Sequence, residues 1–427
     1  MRSIIVSSML LGFSAAVPHL HPRAAKYEGY HVFRVETGDK LTEVSKKLAG
    51  LDYEQWNHDS ARHIDFSMSR EEAKKFKELG IDFKEMHSDL GEDIAQEGNW
   101  GPWKGKNKPD GLPDLSWYET YHDFDDHLEY LNELASALPN NSEIFSAGKS
   151  VEGRDQTGIH FWGKDGPGKK PAVLWHGTVH AREWITTMTV EYLSYQLIAG
   201  YGKDDALTRF VDEYDFYVIP IINPDGFVYT QTTERLWRKS RSPPPPGGNQ
   251  SAPCWGIDLN RNWANQWDTN PEGSSPDPCT QTYRGESPGS AVEQAGMAGF
   301  ADLLGQKQGI KLYLDFHSYS QLILSPWGYT CDEYPPTSQE HVDLMGATAE
   351  AIESVYGTNY TFGPTCETIY ATNGGSADYL FDIVGATWSM AFELRDTGEF
   401  GFVLPPEQIV PNCEEVWEGM QVMLEKM

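Results

Sequence analysis

The sequence predicts an α/β protein in two parts, a large sheet wrapped by helices and, before it, a small open-sheet α/β unit. Apolar runs ending at Trp175, Ile222 and Phe316 alternate with helical periodicity near residues 185–197, 292–304 and 342–355. This is the pattern of buried strands separated by helices. Upstream, residues 30–86 make two shorter passes of strand and helix, set apart from the rest by a stretch rich in Gly, Lys, Asn, Pro and Asp. Length agrees: 427 residues exceed one ordinary domain, and 39% hydrophobic content with 14 Trp is ample for a large core.

In chain order, Met1-Arg2 is basic, residues 4–13 are apolar and Ser14-Ala15-Ala16 offers a small-residue cleavage site. Residues 1–16 therefore read as a secretory signal cut after Ala16. A membrane anchor is not expected, because the apolar run is about half of the roughly 20 residues that span a bilayer. Residues 17–112 form the small unit and its linker. Tyr30, Val32, Phe33 and Val35 begin a strand, and residues 39–51 turn helical. A strand at 63–68, a helix at 70–79 and a strand at 81–86 complete the unit, with no Cys and no clustered ligands. Residues 91–113, with Gly105-Lys106-Asn107-Lys108-Pro109-Asp110-Gly111 among them, suit an exposed linker and a maturation cut. Lys104, Lys106 and Lys108 would suit a trypsin-like activating protease.

Residues 113–427 make the large unit. It opens with an amphipathic helix over 121–138 and two strands around Glu152-Gly153-Arg154. The run Ser242-Pro243-Pro244-Pro245-Pro246-Gly247-Gly248 reads as a stiff surface loop. Gly163-Lys164-Asp165-Gly166-Pro167-Gly168-Lys169-Lys170 imitates a phosphate-binding loop, but it lacks the Ser/Thr for magnesium and leads into a strand, so it is a turn. No Gly-x-Ser-x-Gly occurs, which gives no support to an α/β-type serine hydrolase.

A formal charge of -29, from 63 acidic and 34 basic side chains, repels a polyanion over most of the surface, so nucleic acid is not an expected partner. The five cysteines, Cys254, Cys279, Cys331, Cys366 and Cys413, all lie in the second half, and the odd count leaves at least one free. Asn140, Asn249 and Asn359 stand in Asn-x-Ser/Thr sites that could carry glycans outside the cell.

The chemistry concentrates at three places: His180-Ala181-Arg182-Glu183, a lone His317 closing an apolar strand, and Glu393 within Met390-Ala391-Phe392-Glu393-Leu394-Arg395. Two imidazoles and a carboxylate match the ligand set of a catalytic zinc, which leaves its fourth position to water. A separate carboxylate can take that water's proton. His-x-x-Glu alone means little, since composition produces on the order of one in a chain this long. A surface pair is its default reading, and His317 taken alone is as well explained as a hydrogen-bonded core residue. The odds move because of the accompanying set: Arg238 in Leu236-Trp237-Arg238-Lys239, Asn260 and Arg261 in Asp258-Leu259-Asn260-Arg261-Asn262-Trp263, and Tyr370 before Asn373-Gly374-Gly375-Ser376-Ala377-Asp378.

At these residues the chain resembles the zinc metallocarboxypeptidases of the pancreatic carboxypeptidase A/B type, including their secreted fungal relatives. The resemblance runs from about Trp117 to the end with order and spacing kept, and residues 30–86 look like that family's inhibitory pro-segment. It implies a mixed central sheet flanked by helices, preceded by a small open-sandwich α/β pro-domain. It implies that His180, Glu183 and His317 hold one Zn2+, with Glu393 as general base and then general acid. Arg238 matches the guanidinium that stabilises the oxyanion. Asn260 and Arg261 match the grip on the substrate's terminal carboxylate, a grip that restricts cleavage to the last residue of a peptide.

Tyr370 matches a mobile phenol that closes over the bound residue, with Gly374 and Gly375 letting its loop bend. Tyr319 and Phe402 match outer subsites, and Asp258 is a candidate acceptor for the second N–H of His180. Leu324, Gly328, Ile369, Thr372, Ala377 and Ala391 match the side-chain pocket. Basic-specific relatives carry an acidic residue where this chain has Ala377, so an apolar pocket for Phe, Tyr, Leu or Trp is expected. The resemblance also implies the bridges Cys254–Cys279 and Cys331–Cys366, with Cys413 as a buried thiol. The segment 240–253 is longer and richer in Pro than in the pancreatic enzymes. The expected protein is a secreted, monomeric zymogen that acts on peptide C-termini, cut by an activating protease. The alternatives are a basic-specific B-type enzyme, or a non-catalytic relative that only binds peptide C-termini.

Overall fold

A computed structural model describes residues 22–58, 62–98, 100–101, 103, 111–247 and 253–427. The expected signal segment, residues 104–110 of the expected linker and Asn249 lie outside the described residues.

The small unit contains helices α1 (Pro22–Ala25), α2 (Leu41–Leu48), α3 (Arg70–Glu78) and α4 (Leu90–Glu97). Its strands are β1 (His31–Glu36), β2 (Glu54–Gln55), β3 (His63–Met68) and β4 (Lys84–His87), in the order β2-β3-β1-β4. Side chains alternate between the faces of a strand. On β1, Phe33 and Val35 point to one core with Val44, Leu48, Phe66 and Phe76 of β3, α2 and α3. Val32, on the opposite face, joins Trp56, Leu236, Tyr319 and Phe402 in a cluster shared with the large unit.

The linker expected over 91–113 starts later than the composition suggested. Residues 90–97 are helical: the Asp89 carboxylate caps the Glu92 N–H, and Leu90 and Ile94, four apart, are both buried. The last strand of the unit begins at Lys84 rather than at 81.

In the large unit the strands are β5 (Ser142–Lys149), β6 (Asp155–Phe161), β7 (Ala172–Gly177), β8 (Asp215–Ile219), β9 (Ile310–Ser318), β10 (Leu322–Ser325), β11 (Thr361–Pro364) and β12 (Trp388–Leu394). They form one eight-stranded sheet in the order β11-β10-β12-β9-β7-β8-β6-β5. The centre, β12-β9-β7-β8, is parallel, while β10 pairs with β12, and β6 with both β8 and β5, antiparallel. The sheet is mixed.

Helices cover both faces: α5 (Phe124–Ala137), α6 (Trp184–Gly200), α7 (Asp205–Glu213), α8 (Pro224–Thr232), α9 (Val292–Lys307), α10 (Ser338–Tyr356), α11 (Thr365–Thr368), α12 (Ser376–Tyr379) and α13 (Ile409–Lys426). Val173 and Trp175 of β7 pack into a core with Met188 and Leu193 of α6 and Val416 of α13. Leu174, between them, packs with Met297 and Leu304 of α9 on the other face. A strand buried on both faces has no polar alternation, which is why β7 reads as a continuous apolar run.

The chain leaves β7 to build β8 on one side and later returns to build β9 on the other. A crevice forms outside the carboxyl ends of the strands at such a reversal. His180 lies three residues beyond the end of β7, and His317 lies near the end of β9. Disulfides join Cys254 to Cys279 and Cys331 to Cys366, and Cys413 is a buried free thiol.

Candidate metal centre and substrate cleft

Glu183 is the N-cap of α6, so the helix places its carboxylate one turn from His180. Glu393 on β12 is in register with His317 on β9, so sheet pairing alone brings the expected general base and the expected third ligand side by side. One ligand atom from each of His180, Glu183 and His317 falls within 4.8 Å of the others, and all three residues are buried. The Nδ1 atoms of the two imidazoles face each other at 3.1 Å, and the Glu183 oxygens lie 2.9 Å from His180 Nδ1 and 3.2 Å from His317 Nδ1.

The outer nitrogens are engaged elsewhere: His180 Nε2 lies 3.1 Å from Asp258, and His317 Nε2 lies 2.9 Å from Asp315. Each imidazole is thus oriented through one nitrogen and presents the other inward, as zinc-binding histidines are. Burial would raise the Glu183 pKa, but His180 and His317 hold it well below the usual carboxylate range, in the ionised form a metal ligand needs. Two imidazoles and an ionised carboxylate around one point fit a zinc ion.

Around this triad the remaining expected residues converge on two adjoining spaces. The larger, about 400 Å³, is lined by Glu183, Arg238, Tyr319, Tyr370, Glu393 and Phe402 together with Trp56 and His58 of the small unit. The smaller, about 80 Å³, shares Arg238, Ile369, Tyr370 and Glu393 with it and is also lined by Leu324, Gly328, Thr372, Ala377, Ala391, Asn260 and Arg261. Burial pushes the Glu393 carboxyl up to about 8, with Glu183 adding to the effect and His317 opposing it.

Arg238 donates to Asp258 Oδ2 through Nη2 at 2.9 Å and lies 3.8 Å from Glu183. Burial opposes ionisation of Asp258, yet Arg238 and His180 keep its pKa well below the ordinary value. Arg261 Nη2 donates to the Tyr370 hydroxyl at 3.1 Å, so the phenol rests on the expected carboxylate grip. Asn260 accepts from the Ser376 N–H at 2.8 Å. Gly374 takes φ +57, and a Cβ there would meet the Arg261 carbonyl at 2.5 Å. This glycine pins the Tyr370 loop to the grip, whereas Gly375 has an ordinary φ of -83.

Some residues at the cleft were not singled out from the sequence. Thr365, Ser376 and Asp378 line the smaller space. Asp315 orients His317. Arg182, inside the His-Ala-Arg-Glu run, is fully buried, donates to the Trp56 carbonyl at 2.9 Å and stacks 3.9 Å over the Phe402 ring. Asn140 and Asn359 are exposed. Among the described residues no helix is long and apolar enough to cross a membrane.

The buried three-ligand cluster at a sheet switch point, with a carboxylate beside it and guanidiniums around it, defines a metallohydrolase. Residues 127–419 match the zinc carboxypeptidase family model, and the chain belongs to that family. It is a metallocarboxypeptidase. The chain is 41% identical to metallocarboxypeptidase A of Trichophyton tonsurans, over 99% of both chains, and 34% identical to mouse carboxypeptidase A4, over 94% of both. The solved structure of carboxypeptidase A from Helicoverpa armigera matches with TM-score 0.78 at 26% identity, covering 94% of this chain and 98% of that one. The mixed sheet flanked by helices is the carboxypeptidase fold.

Proposed function

We propose that the chain is a secreted, monomeric procarboxypeptidase whose processed form removes apolar and aromatic C-terminal residues from peptides. The carrying observation is the convergence of His180, Glu183 and His317 on one point beside Glu393, at a pocket also lined by Leu324, Ile369, Ala377 and Ala391. A zinc ion held by the three ligands would polarise a water and the scissile carbonyl. Glu393 would take the proton of the attacking water and deliver it to the leaving amine. Arg238 would stabilise the charge that appears on the carbonyl oxygen; removing one such donor typically costs on the order of 100-fold in rate. Asn260 and Arg261 would hold the terminal carboxylate, with Tyr370 closing over it. Tyr319 and Phe402 would contact residues further upstream.

The side-chain pocket offers no wall carboxylate at 377. Asp378, next to it, is buried and accepts from the Gly328 N–H at 3.0 Å; burial pushes its pKa up to about 7. This supports A-type over B-type specificity. A family member that merely binds C-termini would be expected to lack a ligand or Glu393, and every one is present.

Residues 1–16 would be removed on secretion and residues 17–112 would form the pro-domain, with 113–427 the catalytic domain. The small unit roofs the larger space with Trp56 and His58, which supports inhibition of the intact chain. Blocked dipeptides ending in Phe or in Lys, given to the processed chain with and without a chelator, test the assignment. Chelator-sensitive cleavage of the Phe substrate is expected, and a preference for Lys would refute A-type specificity.

A further inference from the structure

Asp315 stands two residues before His317 on β9, so both side chains leave the same face of the strand. It is wholly buried and lines neither cleft space. Its Oδ2 lies 2.9 Å from His317 Nε2 and accepts from the Ser376 hydroxyl at 2.6 Å. Its Oδ1 faces His176 Nδ1 at 3.4 Å, and His176 is itself held by the Tyr313 hydroxyl, 2.6 Å from its Nε2. The carboxylate is therefore gripped between β7, β9 and the first residue of α12.

Ser376 acts in two directions. Its hydroxyl donates to Asp315, and its main-chain N–H donates to Asn260 Oδ1 at 2.8 Å. That second bond decides which way the Asn260 amide points: with Oδ1 committed to Ser376, Nδ2 is the atom left to meet a substrate's carboxylate. Asn260 Nδ2 also lies 3.2 Å from His317 Nε2. An imidazole that gives its Nδ1 lone pair to a metal carries its hydrogen on Nε2, and of these two neighbours only the carboxylate can accept it. Asp315 thus takes the imidazole hydrogen and leaves those of Asn260 Nδ2 to the substrate.

We propose that Asp315 and Ser376 are positioning residues that tie the metal ligand to the carboxylate clamp, so that a change at either one is felt at both places. The inference rests on reading the cluster as a zinc carboxypeptidase centre. Asp315 fixes the tautomer and tilt of His317. Ser376 holds Asp315 in place through its hydroxyl and the Asn260 amide through its N–H. Loss of the Ser376 hydroxyl, which touches no metal ligand, then loosens the metal. Loss of Asp315 leaves His317 Nε2 facing Asn260, whose amide turns Oδ1 towards it and withdraws Nδ2 from the substrate.

Two readings on each variant test this. The zinc-loaded full chain is mixed with a chelating dye and zinc loss is followed by absorbance; the same chain, cut in the linker by a trypsin-like protease, gives kcat and KM for a blocked dipeptide ending in Phe. Asp315→Ala and Ser376→Ala are expected to speed zinc loss and to raise KM, each by about tenfold. Ser376→Thr keeps the hydroxyl and is expected to match wild type in both readings. Ser389→Ala removes another buried hydroxyl bond to the same short helix, from Ser389 Oγ to the Ala377 carbonyl at 2.8 Å, and is expected to move neither. Zinc loss at the wild-type rate in Ser376→Ala, an unchanged KM in Asp315→Ala, or equal shifts in Ser389→Ala would overturn the proposal. If Asp315→Ala does not fold, Ser376→Ala and Ser376→Thr decide by the same two readings. Wild type that neither holds zinc nor turns over would sink the carboxypeptidase reading itself, whereas an active, zinc-holding wild type whose variants lack these cross-effects would sink the coupling alone.

Discussion

Asp65 of the small unit accepts a hydrogen bond from the Tyr319 hydroxyl at 2.5 Å across 254 positions of chain, and the same carboxylate receives two from Arg34, at 2.6 Å each. A residue matched to the outer substrate subsites is thereby occupied by the protein itself. Asp65→Ala frees the phenol and leaves Arg34 without its carboxylate. In the intact chain this is expected to raise hydrolysis of a blocked dipeptide about tenfold, the size of one hydrogen bond to a charged group. A chain cut in the linker and freed of the small unit would lack residue 65, and its activity is expected to be the same for both. Equal leak in wild type and variant would contradict the role given to this contact.

Glu393→Gln keeps the shape of the side chain and removes its ability to carry a proton. Turnover of the processed enzyme is expected to fall by about 1000-fold or more, while elemental analysis still finds zinc, since the three ligands are untouched. Near-normal rates would refute the proton-carrier role.

Ala377→Asp introduces a carboxylate into the wall of the smaller space, where it can pair with a cationic substrate side chain. The ratio of kcat/KM for peptides ending in Lys to those ending in Phe is expected to rise by about 100-fold. An unchanged ratio would mean that position 377 does not face the substrate side chain.

Asp378 gives a pH signature. Burial raises its folded-state pKa to about 7, against an ordinary value of 3.8. Between these values the folded chain keeps a proton that the unfolded chain has lost, so this group's contribution to stability is full at or below about pH 4 and declines as pH rises towards 7. Asp378→Asn cannot ionise. Relative to wild type, its melting temperature is expected to gain on the order of 2–5 °C between about pH 4.5 and 7.5. A difference independent of pH would show that the carboxyl ionises normally in the fold.

Much of the site was legible because its residues sit in short motifs whose chemistry is unusual for their position. His317 closes an apolar strand, and Glu393 interrupts another; in a sheet with two covered faces, such a residue needs a reason. Asp315 escaped notice inside the same apolar run, since its partners His317 and Ser376 are set by the pleat and by a return of the chain 61 positions later. Arg182 was visible only as part of a motif. Its contact with Trp56 depends on how the two units dock, and local sequence does not encode that docking. The helix at 90–97 was obscured by Gly91, which reads as linker but is small because Glu28 crosses against it.

Metal content tests the central claim most directly. Elemental analysis of the processed enzyme should find one zinc per chain, and a chelator should remove both the metal and the hydrolysis of a blocked dipeptide ending in Phe, with activity restored on adding zinc. Full turnover by a metal-free preparation would contradict the account.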